Sequence, residues 1–401
     1  MRLDAEAWDR LVTWIDLNAP AHGTWTAIVG PARVTHPWER RREMRKRYAG
    51  MEDDPEAVAV LQRPPIVPVV PEPTPTRTGG PAPDCAGWPF DAAEARRRQK
   101  AAGGPTTLVL PLDEGVPLEL VRIPAGEFIM GQADGCPDES PPCHVRIPTA
   151  FWMGRFEVTN EQFALFDLSH HSRLEHGDYI QFSPGERGWT LSRPKQPVVR
   201  VSWEQARAFC SWLSKKTGLR FMLPTEAQWE YACRAGTATP LWYGTLDTDF
   251  SRFANVSDAT HQAIDPFGWS GRPEVIPPWR PADTRFNDHS RVSAPAGTYE
   301  ANPWGLHDMH GNVAEWTLSA YKPYPCREDD GRNQPTAEGR RIVRGGSWYD
   351  RPDRCRSAFR QGYVPEQGVY DVGFRVICEH EVSAEGPPET DRDSGRPAGS
   401  R

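Results

Sequence analysis

Asp308, Asn312 and Glu315 crowd into the twelve residues from Gly305 to Trp316, G-L-H-D-M-H-G-N-V-A-E-W. Two glycines let the backbone turn there, while Asp and Asn side chains bond back to it, so a plain helix is excluded and a ligand-rich loop entering a strand is expected. A carboxylate, an amide and the carbonyls near Gly311 and Val313 are the oxygen donors that a hard cation such as calcium takes. The same residues also make a tight turn whose Asp and Asn only cap local amides, and these residues alone leave both readings open. Thirty residues on, Arg344 to Trp348 (R-G-G-S-W) is followed by Tyr349, Asp350, Cys355 and Arg356, a second concentration of groups able to bind or react.

The elements that must hold these groups are short. Thr159 with Gln162, Ser202 with Gln205 and Thr225 with Gln228 are capping boxes, each opening a helix, and Gly218 and Gly236 stop the last two. Ala206, Phe209, Cys210 and Leu213 recur on one face of the second, which makes Cys210 a core residue and not a nucleophile. Apolar and polar residues alternate on both sides of P-A-G at 124–126, a hairpin signature, and I-V-R-G-G-S-W and D-V-G-F-R-V-I-C read as short strands. Ahead of this domain, which spans 116–380, residues 1–50 read as a helical segment, with Trp8, Leu11, Val12 and Ile15 at helical spacing. Residues 51–115 form a Pro-rich linker, with a short helix at 92–102, and 381–401 a polar, disordered tail.

With hydrophobic residues at only 38% but 16 Trp, 15 Phe and 10 Tyr, the core is expected to be aromatic and loop-rich. A net charge of −7 gives no pull toward nucleic acid, and no apolar run is long enough to span a bilayer. The eight cysteines contain no C-x-x-C pair, so a zinc ribbon is not expected. Cys136 and Cys143 bracket a turn and suit a small disulfide loop, which implies an oxidising compartment. Met1-Arg2-Leu3-Asp4 does not begin a signal peptide, so compartment and native start stay open.

The ordered blocks I-P-A-G-E-F-I-M-G, R-F-E-V-T-N-E-Q-F, P-V-V-R-V-S-W-E-Q-A, R-F-M-L-P-T-E-A-Q-W-E-Y-A, N-P-W-G-L-H-D-M-H-G-N-V-A-E-W, R-G-G-S-W and V-G-F-R-V resemble the formylglycine-generating enzymes, the sulfatase-modifying factors, from about Leu118 to Cys378. The resemblance implies an irregular α+β fold related to C-type lectins, with short helices and short antiparallel strands braced by calcium. It places one calcium at Asn255 and the backbone of Val256 with Asp288 and the backbone of Ser290. A second falls at Asp308 with backbone groups around His310, Gly311 and Val313.

Active members of that family hold Cu(I) through two cysteines, three and eight positions beyond the Ser of R-G-G-S. Those positions after Ser347 are Asp350 and Cys355, and a carboxylate with one thiol is a poor Cu(I) site. Counted back from Arg360, even the second cysteine has no counterpart. The resemblance therefore implies a peptide- or protein-binding domain, with Ser347, Trp348, Tyr349, Arg356 and Tyr363 gripping the partner. The alternatives are an active formylglycine-generating oxidase using Cys355 and Asp350, and a non-haem iron oxidoreductase of the sulfoxide-synthase type. For the iron site His22, His36, His170, His171 and His176 are too few and too scattered.

Overall fold

Each capping box closes as the sequence implies. In this computed structural model, which describes residues 37–52, 82–175, 189–260, 282–327 and 329–379, the side chains of Thr159, Ser202 and Thr225 accept from the backbone N–H three residues on, and the Gln found there reaches back. The chain divides into two units, Met1–Thr74 and Pro75–Arg401. In the first, helix α1 (Pro37–Met44) passes into a π-helical turn, Arg45–Ala49, ended by left-handed Gly50. The helix expected around Trp8 to Ile15 and the tail from 381 lie outside the described residues.

The second unit carries α2 (Ala92–Ala101), α3 (Asn160–Ala164), α4 (Trp203–Thr217) and α5 (Glu226–Arg234). Its strands are β1 (Thr107–Asp113), β2 (Val116–Ile123), β3 (Gly126–Met130), β4 (Cys143–Ile147), β5 (Phe151–Gly154), β6 (Leu174–Glu175), β7 (Trp189–Thr190), β8 (Phe221–Met222), β9 (Ala314–Ala320), β10 (Arg341–Arg344), β11 (Gln361–Tyr363), β12 (Val372–Gly373) and β13 (Ile377–Cys378). One antiparallel sheet runs β1-β2-β5-β13-β8, and another runs β11-β10-β9-β12, with β12 parallel to β9. β3–β4 and β6–β7 are separate two-stranded ribbons. This is the loop-rich α+β fold with short elements.

The expected linker needs correcting at its C-terminal end. Residues 92–113 belong to the folded unit: Ala95 is fully buried, Gln99 donates to the carbonyls of Arg122 (2.9 Å) and Trp304 (2.8 Å), and β1 pairs with β2. The Pro- and Gly-rich composition hides a strand that turns Leu108, Leu110 and Leu112 inward. The Cys136–Cys143 disulfide is not formed either, since both are free thiols. Pairing of Met130 with Cys143 turns the Cys143 side chain into the core, whereas Cys136 lies beside Arg356.

The two largest of four apolar clusters among the described residues lie around α4, where Phe209 stacks on Phe163 (5.5 Å), and around Trp229, Tyr231 and Trp304. Between elements too short to hold themselves runs a lattice of buried charge. Arg344 donates to Glu226 (2.7 Å) and Glu230 (2.9 Å), Arg360 to Glu226 (2.6 Å), and Arg234 to Glu230 (2.9 Å). Burial works against ionising Glu226, yet Arg344 and Arg360 hold its carboxyl below the ordinary value. Removing one member of such a lattice leaves an uncompensated buried charge, which costs about 3–5 kcal/mol. Glu226→Gln is therefore expected to lower the unfolding free energy by about that amount in a denaturant titration. Glu300→Gln, at the exposed pair with Arg252, should leave the midpoint nearly unchanged.

Candidate functional site

The central turn is held by its backbone. Asp308 (φ 59°), Gly311 (φ 78°) and Asn312 (φ 59°) are all left-handed, a conformation that Gly, Asn and Asp tolerate best. A Cβ on Gly311 would lie 2.0 Å from the carbonyl oxygen of Asn255, so only glycine fits. Asn312 is fully used as a clamp: its Oδ1 accepts from Asn255 Nδ2 (3.0 Å) and Ala294 N (2.8 Å), and its Nδ2 donates to Glu157 Oε1 (3.0 Å). The Asn312 amide is therefore a structural knot and has no oxygen to spare for a cation.

Oxygens without partners lie beside it. Asp308 Oδ2 accepts from Gly297 N (2.6 Å), but Asp308 Oδ1 and Glu157 Oε2 are buried with no hydrogen bond. Burial pushes the Asp308 carboxyl up to about 6, and burial plus the neighbouring Asp308 pushes Glu157 well above its usual range. Asn255 Oδ1 is likewise buried and unpartnered. Close to it Asp288 accepts from Val256 N and Ser290 N (both 2.8 Å), and burial together with the charge of Asp258 raises Asp288 to about 8. Two sets of buried oxygens, each around a carboxylate held in an unfavourable field, suit a hard cation. Glu157 and Asp258 were not expected from the sequence; the signal for Glu157 was available in F-E-V-T-N, but its partner Asp308 is far away along the chain.

The residues after Ser347 are arranged differently from the expectation. Ser347 is fully buried, and its hydroxyl lies 3.0 Å from Asp350 Oδ2 and 2.8 Å from Asp371 Oδ2. One hydroxyl proton serves one carboxylate at a time, and burial together with Asp350 raises Asp371 to about 7. Cys355 is 0% exposed in an apolar cluster with Phe250, Ala254 and Val256, which contains no second cysteine. Burial, then Asp350 and Asp353, drive its thiol far above the ordinary value. His310 packs beside it: Nδ1 donates to Cys355 O (2.6 Å), Nε2 accepts from Trp242 N (3.0 Å), and burial lowers the ring to about 4, so it is neutral.

Trp348 and Arg356 are 1% and 6% exposed. Trp348 sits in a cluster with Leu191, Val199 and Val313, and Arg356 is spent on Glu139 through two bonds of 2.6 and 2.7 Å. Neither can grip a partner, and with Ser347 buried as well, only Tyr349 and Tyr363 of the expected binding set are partly open.

Against known proteins, the sulfatase-modifying factor enzyme 1-like domain matches residues 111–380. The chain belongs to this family. Formylglycine-generating enzyme of Bos taurus is 28% identical over 311 residues, covering 66% of this chain and 75% of that protein. Inactive C-alpha-formylglycine-generating enzyme 2 of the same species is 27% identical over 308 residues, covering 66% and 90%. Among solved structures, PvdO from Pseudomonas aeruginosa superposes with a TM-score of 0.50 at 25% identity, covering 69% of this chain and all of that one.

Within this sulfatase-modifying factor domain the Ser347–Asp350–Asp371 cluster gives a pH test. Asp371 has a folded value above its unfolded one, so the folded state holds its proton between about pH 4 and about 7, and stability drains away as pH rises through that window. The lowered His310 acts in the opposite sense between about 4 and 6.5, so the measurement is a difference. The stability of Asp371→Asn relative to the parent is expected to grow from pH 4 to pH 7 and then level off, in chemical denaturation at each pH.

Proposed function

We propose that this chain is a calcium-braced sulfatase-modifying factor domain that recognises a peptide or protein partner and does not carry out copper-dependent formylglycine formation. The burial of Cys355 is the observation that carries this reading. A Cu(I) centre needs two accessible thiolates, whereas here the thiol lies in an apolar cluster and the position that would supply the other is Asp350, tied to Ser347. The chain is similar to an inactive C-alpha-formylglycine-generating enzyme 2 (27% identical) to the same degree as to a formylglycine-generating enzyme (28%), so the reading rests on the site itself.

Calcium would be held at Asn255 and Asp288, with the backbone of Val256 and Ser290, and at Asp308 with Glu157 and backbone around His310, Gly311 and Val313. Its contribution would be to neutralise the buried carboxylates and to occupy the unpartnered oxygens of Asn255, Asp308 and Glu157. Recognition would fall to the cleft of about 530 Å³ that Trp189, Arg193, His289, Arg291 and Thr298 line beside the Ser290 loop, where Arg291 lies over the Trp189 ring (5.5 Å).

The purified chain, supplied with Cu(I), oxygen and a Cys-x-Pro-x-Arg peptide, is expected to yield no formylglycine by mass spectrometry and no oxygen uptake above the copper-only control. Turnover that survives Asp350→Ala but vanishes in Cys355→Ser would overturn the reading. Calorimetric titration of chelator-treated protein is expected to show two calcium equivalents, with one lost in Asp288→Asn and the other in Asp308→Asn.

A further inference from the structure

The outward face of the β3–β4 hairpin carries a group that neither the fold nor the proposed calcium sites use. Strand β4 alternates, with Cys143, Val145 and Ile147 buried and His144 and Arg146 exposed. In the register Glu127 lies opposite Arg146 and Ile129 opposite His144, so Glu127 and His144 are diagonal neighbours on one face. His144 Nε2 is 3.1 Å from Glu127 Oε2.

A third group arrives from a distant part of the chain. Cys85 sits in the turn before α2, and that turn is fixed in place by bonds from Trp88 N to Cys85 O (3.2 Å), Phe90 N to Gly236 O (2.9 Å) and Arg98 Nη2 to Gly87 O (2.9 Å). The Arg98 guanidinium also lies 4.0 Å from the centre of the Phe90 ring. The Cys85 sulfur, a His144 nitrogen and a Glu127 oxygen fall within 4.8 Å of one another. Zinc bonds of about 2.0–2.3 Å in a tetrahedron put neighbouring donors roughly 3.3–3.8 Å apart. Closure therefore needs a movement of no more than about 1.5 Å, which two side chains exposed to 42% (His144) and 43% (Glu127) can make by rotamer adjustment.

We propose that Cys85, Glu127 and His144 form a zinc site with three protein ligands and water in the fourth position. Donor chemistry separates it from the calcium sites, because sulfur and imidazole suit zinc and not calcium or magnesium. Charge agrees as well: a thiolate and a carboxylate together balance a divalent ion. Arg146, whose Nε is 3.9 Å from Glu127 Oε1, and Arg98, whose charge acts on Cys85, are the competing cations. Without metal, burial and the charge of Glu127 push the Cys85 thiol up, so zinc binding releases a proton and tightens as pH rises. The site would staple residues 82–91 to the hairpin.

The test uses the full chain, stripped by chelator and kept saturated with calcium. Titration with zinc against a chromophoric chelator is expected to find one equivalent that Cys85→Ser and His144→Ala each lose. Cobalt(II) in its place is expected to give a sulfur-to-metal charge-transfer band in the near ultraviolet, absent in Cys85→Ser and unchanged in Cys136→Ser. Zinc should also protect Cys85 of the unmutated chain from alkylation, read by peptide mass mapping, which keeps the test independent of whether a variant folds. Equal zinc content in parent and variants, a missing cobalt–thiolate band, or alkylation of Cys85 at the same rate with and without zinc would each overturn the proposal.

Discussion

Everything in the second unit hangs on the pairing of buried carboxylates with buried guanidinium groups. The strands of the β9-bearing sheet are two to seven residues long, and such strands bring too few ladder bonds to fix their own positions. Arg344 closes that gap by joining the end of β10 to Glu226 and Glu230 on α5, while Arg375 grips Glu315 through bonds of 2.5 and 2.7 Å and ties β9 to the chain after β12. Buried pairs of this kind add little net stability over apolar packing, but each demands its own partner geometry. The lattice thus selects one arrangement among the many that an aromatic, loop-rich core would tolerate.

That selection reaches the Ser347 turn directly. Past Arg344 the chain turns through left-handed Gly345 and Gly346, and a Cβ on Gly346 would lie 2.5 Å from the Cys355 sulfur. Ser347 is therefore positioned by the ion pair on one side and by the buried thiol on the other. In a copper enzyme of this family that thiol would have to face an opening. Here it fills the space under a glycine, and the carboxylate of Asp350 turns inward to the Ser347 amide and hydroxyl. Asp350 and Cys355 have become parts of the turn's own architecture.

Local signals were legible in the sequence and long-range ones were not. The three capping boxes, the left-handed stop at Gly218 and the core role of Cys210 are written within a few residues each, and they are found as read. The partner of Glu315 is a long-range matter of this kind: packing supplies Arg375, with Trp229 Nε1 adding a bond of 2.7 Å. The burial of Trp348 and Arg356 was invisible because the residue types that suit a recognition surface also suit a loop-rich interior. Arg356 is internal only because Glu139, more than two hundred residues away, supplies its counter-charge. Strand β1 was missed for a related reason: its partner, and not its own proline-containing sequence, makes it a strand.

The clamp at Asn312 links the two kinds of chemistry that the family resemblance brought together. Its backbone N–H donates to Asn255 O (2.7 Å), and its carbonyl accepts from Trp348 N (2.9 Å). A cation drawn to the unpartnered oxygens of Asn255 or of Asp308 and Glu157 would pull on the same turn that seats the residue next to Ser347. Cation affinity at the proposed sites would then be coupled to the geometry of that turn. Cations at the proposed sites would let Asp308 and Glu157 ionise beside a turn that the bonds of Asn312 to Asn255, Glu157 and Trp348 already anchor.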